Sequence, residues 1–445
     1  MILELACCAI LLQESGQEKP LMGLPEKSSS DELFGIPVHG SVSAKYRYRS
    51  SSQSSDNDLY EYLSADFGKP EGTVTGHLFL RATEDLDGRE SGYDPLNGIT
   101  ESYRSFNARF YYGHVDFHGL GPAELIRAGR QFEYETPVTF HFDGVHLESK
   151  PIEKDLLLQV GLYGGIPVHL FESSPSGDWL AGAYVQCVPW EAARFRIDYA
   201  HVRDDYLLGV QSDNLLGVGM WQTIGPVLLQ ARYGMLDSES RDLLVRGTFY
   251  APESDVRIEL SYFQLFKTQR AESIDLDYFS LAAQDYFPYI QGRLLAAKGF
   301  GEHFLLQGGV DWRELRDSGD QGTYNHAFRR FYLTPTVTNV IVAGLSISAT
   351  GEIWEVPHTD NGDILSAGLD VGYRYSPTVK FSAGTAYSLY KYDYFDSVER
   401  EHVRTLYVKA AYAPKKGLRL DGSYEFEYDD VDTFHVLKLG AGWAF

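Results

Sequence analysis

Basic side chains recur at alternate positions along this chain, a spacing that puts them on one face of a β-strand. Lys45, Arg47 and Arg49 form one such row, and Arg194 and Arg196 form another. A guanidinium keeps its charge and offers five donors, so a ladder of arginines can bind anionic groups weakly and pass them on. The full set of candidate residues on this face is Lys45, Arg47, Arg49, Arg81, Arg194, Arg196, Arg232, Arg246, Arg257, Arg293, Arg374 and Arg419.

Carboxylates on the same predicted face leave a second interpretation open. Buried charges are usually paired, so the basic residues could equally belong to ion pairs that only brace a wall. Three lysines add to the basic set, which then outnumbers the acidic set. The lysines are Lys380, Lys409 and Lys438, and the acidic residues are Asp198, Glu259, Asp311, Asp370, Asp421 and Glu425.

The segments that carry these residues alternate between apolar and polar side chains. Each extends over about ten residues or more, the length that a tilted strand needs to cross a bilayer. About 22 such segments can be counted back from the last residue, and short connections alternate with longer, acidic ones, among them 203–214 and 395–401. This rhythm predicts an all-β fold, a single-domain transmembrane antiparallel β-barrel of about 20–22 strands, with both termini in the periplasm.

The predicted domain plan has three parts. Residues 1–18 read as a signal or leader segment, although the apolar start lacks a basic region. Residues 19–37 are polar and rich in serine, which predicts a flexible periplasmic lead-in. Residues 38–445 make up the outer-membrane barrel.

Composition excludes several classes of function. The formal charge of −23 argues against a nucleic-acid partner, because phosphate binding needs a basic face. Three cysteines cannot build a disulfide framework, and there is no Cys-x-x-Cys-His motif for attaching haem. We therefore predict no cofactor and no metal.

The last strand, FHVLKLGAGWAF, carries a further signal. Lys438, Gly440, Trp443 and Phe445 match every fixed position of the terminal signal of bacterial outer-membrane β-barrels, which this segment resembles. The resemblance implies a location in the outer membrane, contact with its lipid, and recognition by the barrel-assembly machinery.

A second resemblance lies in one predicted hairpin. Gly129-Arg130-Gln131 and the later Phe142-Asp143-Gly144 are similar to the GRQ…FDG hairpin of alginate-export-type outer-membrane porins. That resemblance implies an 18-stranded type of channel with a basic lumen for an anionic polysaccharide. A loop centred near Glu135 would place Arg130 opposite Asp143, and the parity change after Gly144 predicts a bulge there.

Two functional classes follow from these patterns. The first is a porin that passes small or polymeric anionic solutes through an arginine-rich lumen. The second is a barrel sheath that encloses a periplasmic or lumenal partner, such as a multihaem cytochrome, in an electron conduit across the outer membrane. We expect no enzyme, because the nearest candidate pair is only His201 beside Asp204 and Asp205.

Overall fold

The computed structural model of the chain describes residues 31–33, 36–52, 54–87, 106–135, 139–152, 155–168, 177–206, 209–268, 287–322, 325–357, 363–393, 398–415 and 417–445. The strands are β1 (Asp31–Leu33), β2 (Ile36–Ser50), β3 (Ser55–Phe67), β4 (Val74–Asp85), β5 (Phe106–His118), β6 (Ala123–Glu133), β7 (Phe140–Ser149), β8 (Gln159–Pro167), β9 (Trp179–Cys187), β10 (Ala193–Tyr206), β11 (Gly209–Ile224), β12 (Val227–Leu236), β13 (Glu239–Ala251), β14 (Val256–Leu265), β15 (Tyr289–Phe300), β16 (Phe304–Leu315), β17 (Phe328–Thr338), β18 (Leu345–Glu355), β19 (Ile364–Ser376), β20 (Val379–Asp393), β21 (Val398–Lys415), β22 (Leu418–Tyr428) and β23 (Thr433–Ala444). Two 3₁₀ turns, Pro252–Ser254 and Ser318–Asp320, lie in connections. Within the described ranges, no helix has the length and apolar character needed to cross a membrane.

Strands β2 to β23 form one closed antiparallel barrel of 22 strands. Each strand pairs with its neighbours in sequence, and β23 pairs with β2 from Ser41↔Ala444 to Ser50↔His435. Closure leaves no unpaired edge between the first and last strands, as a barrel in lipid requires. The structure confirms the predicted fold class. The short strand β1 and the first residues of β2 fall within the segment 19–37.

Alternation along each strand separates two faces of the wall. Val42 and Trp443 are opposite each other and 49% exposed, and Leu365 is 81% exposed, as expected for side chains that face lipid. The neighbouring positions point into the lumen, where Arg47 is only 5% exposed. The lipid-facing residues are apolar because hydrocarbon cannot solvate polar groups.

Two of the connections predicted to be long are short. β10 continues to Tyr206 and β11 begins at Gly209, so the predicted loop 203–214 is mostly strand. Likewise, β21 begins at Val398, inside the predicted loop 395–401. Acidic residues in these two segments interrupt the apolar–polar alternation by which a strand is recognised in the sequence. Paired strands tolerate charges where they rise into solvent.

The hairpin formed by β6 and β7 leaves the cylinder and enters the lumen. β5 and β6 pair only from Gly113↔Arg130 to His118↔Leu125, although both strands continue beyond Arg130 towards the outer end. Beyond that point β6 pairs with β7 alone, as far as Glu133↔Phe140. We call β6, β7 and their connection the inward hairpin.

An apolar core holds the inward hairpin against the inner wall. Phe142 and Phe140 are buried and cluster with lumen-facing side chains of β8 to β12. The wall contributes Tyr163, Leu180, Tyr184, Ala200, Val202, Leu215 and Leu236. Burial of such side chains contributes roughly 1.5–3 kcal/mol each, so the inward position is part of the fold.

Candidate functional site

A row of glycines marks the line where the inward hairpin bends. Gly129 pairs with Gly144, and Gly144 pairs with Gly165. Gly129 has φ +130°, and a Cβ on Gly144 would lie 2.7 Å from the Cα of Gly165. The strands can approach this closely only without side chains. The prediction of a bulge at Gly144 is therefore wrong: its pairing is regular, and the register shift between these strands lies at Ala123/Leu125.

The remaining residues of the GRQ…FDG pattern lock this bend. Arg130 Nε donates to Asp143 Oδ1 at 2.8 Å, and Nη2 donates to Oδ2 at 2.7 Å. The side-chain amide of Gln131 donates to the carbonyl of Gly144 at 3.1 Å. Arg130 Nη1 also donates to the carbonyl of Phe110 at 2.8 Å. Because β5 and β6 stop pairing here, the guanidinium replaces a lost backbone donor.

A second break in wall pairing is bridged in the same way. β19 and β20 pair only from Leu369↔Thr385 towards the periplasmic turn. Above that point, Nη1 of Arg404 donates to the carbonyl of Ala367. Arginine thus caps an open strand edge at two places on the barrel.

One side of the inward hairpin is tied to β10 by buried ion pairs. Arg196 is 4% exposed, and its guanidinium donates to Glu133 at 3.0 Å and to Asp198 at 2.8 Å. It also lies 3.7 Å from the ring centroid of Tyr184. Glu135 accepts from Arg196 at 2.9 Å. These contacts join Glu133 and Glu135, at the tip of the inward hairpin, to the wall at β10. The hairpin held in this position narrows the lumen.

The other side packs on aromatic side chains of β5. The rings of Phe132 and His141 stack with centroids 4.0 Å apart, and Phe132 lies edge-on to Tyr112 at 6.5 Å. An imidazole nitrogen of His141 contacts the carbonyl of Tyr111 at 2.6 Å. The inward hairpin therefore bridges two parts of the inner wall.

The predicted basic residues fall into two groups. Those that form ion pairs with carboxylates are Arg47, Arg49, Arg194, Arg196, Arg257, Arg293 and Arg419. Those that form no ion pair with any described carboxylate are Lys45, Arg81, Arg232, Arg246 and Arg374. The first group forms the ion pairs that the bracing interpretation expects, whereas the second group has no such pair with a described carboxylate.

Alternation alone places Arg47 in open lumen, but the structure encloses its side chain in the wall. It is buried against Asp58, whose side chain is fully enclosed, and lies 3.6 Å from Asp56. Arg49 contacts the same Asp56 at 3.0 Å. The lumen wall of β2 and β3 is thus braced by Asp56 and Asp58, which the predicted acidic set did not include.

A cluster of positive charge lies on β4 and β5. Arg81 is directly opposite Arg109, and Tyr62 is opposite Arg81 on the other side. Nε and Nη2 of Arg81 are buried and have no hydrogen-bond partner among the described residues. Its guanidinium lies 5.4 Å from the ring of Tyr111, and Lys45 lies 5.2 Å from the ring of Tyr62. Two adjacent guanidiniums favour a bound anion, because like charges side by side repel.

Sequence reasoning missed Arg109 because parity changes within β5. Tyr112 pairs with Phe79 and Phe110 with Leu80, so Tyr111 is an extra residue at a bulge. Phe110 and Val115 both face outward across this point, although they differ in parity. A break in alternation between those two apolar residues is the signal that would have found it.

His201, the nearest enzyme candidate, lies on β10. His201 lies on the outward-facing parity, stacks near Trp179 at 4.9 Å, and contacts Asn214 at 2.9 Å. The side chains of Asp204 and Asp205 lie outside the described residues.

The residues of the predicted assembly signal lie on the closing strand. Trp443 faces outward, and Lys438 lies 3.4 Å from Glu425 on the lumen side. A Cβ on Gly440 would lie 2.6 Å from Oδ2 of Asp421, so the side chain of Asp421 occupies the space beside this glycine.

These features define a transmembrane β-barrel of the bacterial outer membrane. No protein-family model matches the chain, and no curated protein matches it by sequence. Solved structures with a similar fold include the ferric enterobactin receptor of Pseudomonas aeruginosa, at 9% identity over 92% of this chain and 80% of that chain, with a TM-score of 0.51. OccAB2 of Acinetobacter baumannii shares 13% identity over 92% of this chain and 98% of that chain, with a TM-score of 0.47. OccAB3 of the same organism shares 11% identity over 93% and 100%, with a TM-score of 0.45.

Proposed function

We propose that the protein is an outer-membrane channel for anionic solutes, and that solutes pass the cationic cluster of Arg81 and Arg109. The observation that carries this proposal is the buried guanidinium of Arg81, whose Nε and Nη2 have no hydrogen-bond partner among the described residues. A carboxylate can accept both of these donors in a bidentate pair. Arg81 as a whole residue is half-buried, so a turn of its side chain towards the lumen lets a passing solute supply the partner that the wall does not.

Aromatic rings beside this cluster favour a ring-shaped solute. Tyr62 and Phe79 stack at 6.2 Å, and Phe79 and Tyr112 stack at 5.5 Å, all on the lumen side of β3 to β5. Rings of this kind cover the apolar face of a sugar while the guanidiniums hold its carboxylate. The solute class is a carboxylated sugar, either free or in a polymer. The resemblance of the inward hairpin to alginate-export-type porins supports uronic acids, although 22 strands exceed the 18 that it implies.

The sheath interpretation is less favoured. The inward hairpin crosses part of the lumen and is fixed by Phe142 and by Arg196. A folded partner would need this space. Absence of enzyme activity and the partners expected from the sequence stay predictions.

Current block by a charged sugar tests the proposal. Galacturonate added to the purified barrel in a planar bilayer should reduce the current in a saturable manner, whereas galactose at the same concentration should not. Arg81→Gln should weaken the galacturonate effect about 10-fold, since a charged hydrogen bond contributes roughly 1.5–3 kcal/mol. Arg374→Gln removes an exposed lumen cation near a periplasmic turn and is the matched control. Equal effects of the two sugars, or of the two substitutions, would refute the proposal.

A further inference from the structure

Two histidines and an aspartate that the solute path does not use meet on the lumen wall. His77 on β4 and His114 on β5 are directly opposite each other, and their ring centroids lie 5.0 Å apart. Asp116 follows two positions after His114 and shares its face. The ligand atoms of these residues all lie within 4.8 Å of one another. The group is near the short turns after β3 and β5, in the periplasmic half of the barrel.

A neighbouring carboxylate orients one of the imidazoles. Asp66 on β3 is opposite His77, and its Oδ1 lies 2.7 Å from Nδ1 of that ring. This contact fixes the Nδ1–H tautomer and leaves Nε2 with a free lone pair. Metal-binding histidines are usually held by such a second carboxylate, which also raises the basicity of the ligand nitrogen.

The spacing of the group suits a tetrahedral ion. Nε2 of His114 and Oδ1 of Asp116 are 3.8 Å apart, too far for a hydrogen bond. Zn–N and Zn–O bonds near 2.1 Å at the tetrahedral angle separate two ligand atoms by about 3.4 Å. Small side-chain rotations would therefore bring all three ligands into range. The side chain of His77 is 35% exposed, so the fourth position opens to the lumen.

Arg127 is the main competitor for Asp116. It donates to both carboxylate oxygens, each at 2.8 Å. An ionised carboxylate offers about four lone-pair sites, so the same group can bind a guanidinium and an ion together. The two carboxylates, Asp66 and Asp116, outweigh the single charge of Arg127 and attract a cation.

We propose that His77, His114 and Asp116 form a binding site for a divalent transition-metal ion such as Zn²⁺, Ni²⁺ or Cu²⁺. Two imidazoles with one carboxylate suit these ions, whereas Ca²⁺ and Mg²⁺ prefer oxygen ligands alone. No local sequence pattern marks the site, since the histidines are far apart in the chain and meet only through strand register.

Calorimetry with Zn²⁺ on the untagged, folded barrel in detergent tests this proposal. The wild type should bind one ion per barrel, and His114→Ala should lose that binding. Asp66→Asn should weaken it 10–100-fold, as substitutions of the groups that hold a metal ligand in place do. His303→Ala is the matched control, because His303 lies on a periplasmic turn and contacts the carbonyl of Thr338 at 3.0 Å, away from the group.

A second variant and a second readout make the result decisive. His77→Gln changes a partly exposed side chain, and it should lose the ion even if His114→Ala fails to fold. In bilayers, micromolar Zn²⁺ on the periplasmic side should reduce the wild-type current reversibly on chelation, and should not affect His77→Gln. No saturable binding to the wild type, or equal binding to wild type and His77→Gln, would overturn the proposal.

Discussion

At the scale of residues, buried arginines brace the barrel through carboxylates on neighbouring strands. In the β2–β3 pair, the side chains of Arg47 and Asp58 are 6% and 0% exposed. In the inward hairpin, those of Arg130 and Asp143 are 24% and 46% exposed. Removing one partner of a buried pair commonly costs about 3–5 kcal/mol, whereas exposed pairs contribute much less.

We therefore expect Arg47→Ala to destabilise the barrel more than Arg130→Ala. The first substitution leaves the enclosed Asp58 without its cation, while the second leaves Asp143 partly solvated. Urea unfolding of the two variants, followed by the heat-modifiable band on gels, measures the order. Alternation alone suggests the reverse order, because it places Arg47 in open lumen. A lower stability of Arg130→Ala would contradict our account.

Asp429 makes the stability of the outer end of the barrel depend on pH. It lies in the connection between β22 and β23. Burial raises its pKa, but hydrogen bonds from the backbone N–H of Asp432 and from Arg400 outweigh this, so the net pKa is lowered. A carboxyl group whose pKa is lowered in the folded state stabilises that state at pH values above its unfolded-state pKa of about 3.9. This stabilisation is lost as the pH falls through the folded-state pKa.

Hydrogen exchange checks this at the connection 429–432. As the pH falls below about 4, the amide exchange rate in this connection should increase relative to the intrinsic rate. Asp429→Asn should open the connection at neutral pH and flatten its pH profile. A profile that is the same in the wild type and the variant would mean that this carboxylate does not hold the connection.

At the scale of elements, the inward hairpin sets the width of the lumen. Its bend depends on the absence of side chains along the row of Gly129, Gly144 and Gly165. Its tip depends on the buried Phe142 and on Glu133, which pairs with Arg196. Bending and anchoring are separate features, so each can be removed alone.

Gly144→Ala should displace the inward hairpin and increase single-channel conductance. The new Cβ would lie 2.7 Å from the Cα of Gly165, which backbone movement alone can relieve. Gly372→Ala is the matched control, because a Cβ there meets no atom within 4 Å. Equal conductance in the two variants would show that the glycine row does not control the bend.

The sequence predicts the alternating strands because lipid imposes one rule on the outward residues, namely that their side chains are apolar. Leu365, Val42 and Trp443 follow that rule, and they identify the barrel. The inward hairpin does not follow from it, since Phe140, His141 and Phe142 bury both faces of the start of β7 inside the lumen. Arg109 is hidden by the bulge at Tyr111, which changes the parity of the strand between Phe110 and Val115.

At the scale of the whole molecule, closure depends on the last residue. The backbone N–H of Phe445 donates to the carbonyl of Gly40 at 2.9 Å, and that of Gly40 donates to Phe445 at 3.0 Å. The ring of Phe445 fills the space beside Gly40, where a Cβ would lie 2.7 Å from Cζ. These contacts join the first and last strands at the periplasmic end.

Deletion of Phe445, or Trp443→Asp, should prevent assembly in the outer membrane without reducing synthesis. The deletion removes two closing hydrogen bonds, and the substitution puts a charge on the lipid face, which destabilises a membrane barrel. Val431→Asp is the control, because Val431 is 94% exposed in an outer connection. Normal amounts of heat-modifiable barrel in the first two variants would contradict this role.

Ion selectivity tests the central claim, an anion-passing lumen, most directly. The reversal potential of the purified wild-type barrel across a KCl gradient should have the sign of a weak anion preference, since Lys45, Arg81, Arg246 and other lumen cations form no ion pair with any described carboxylate. The acidic residues of the outer connections are screened within about 8 Å at physiological salt, so they should not reverse that sign. A reversal potential of the opposite sign, showing clear cation selectivity, would contradict the account.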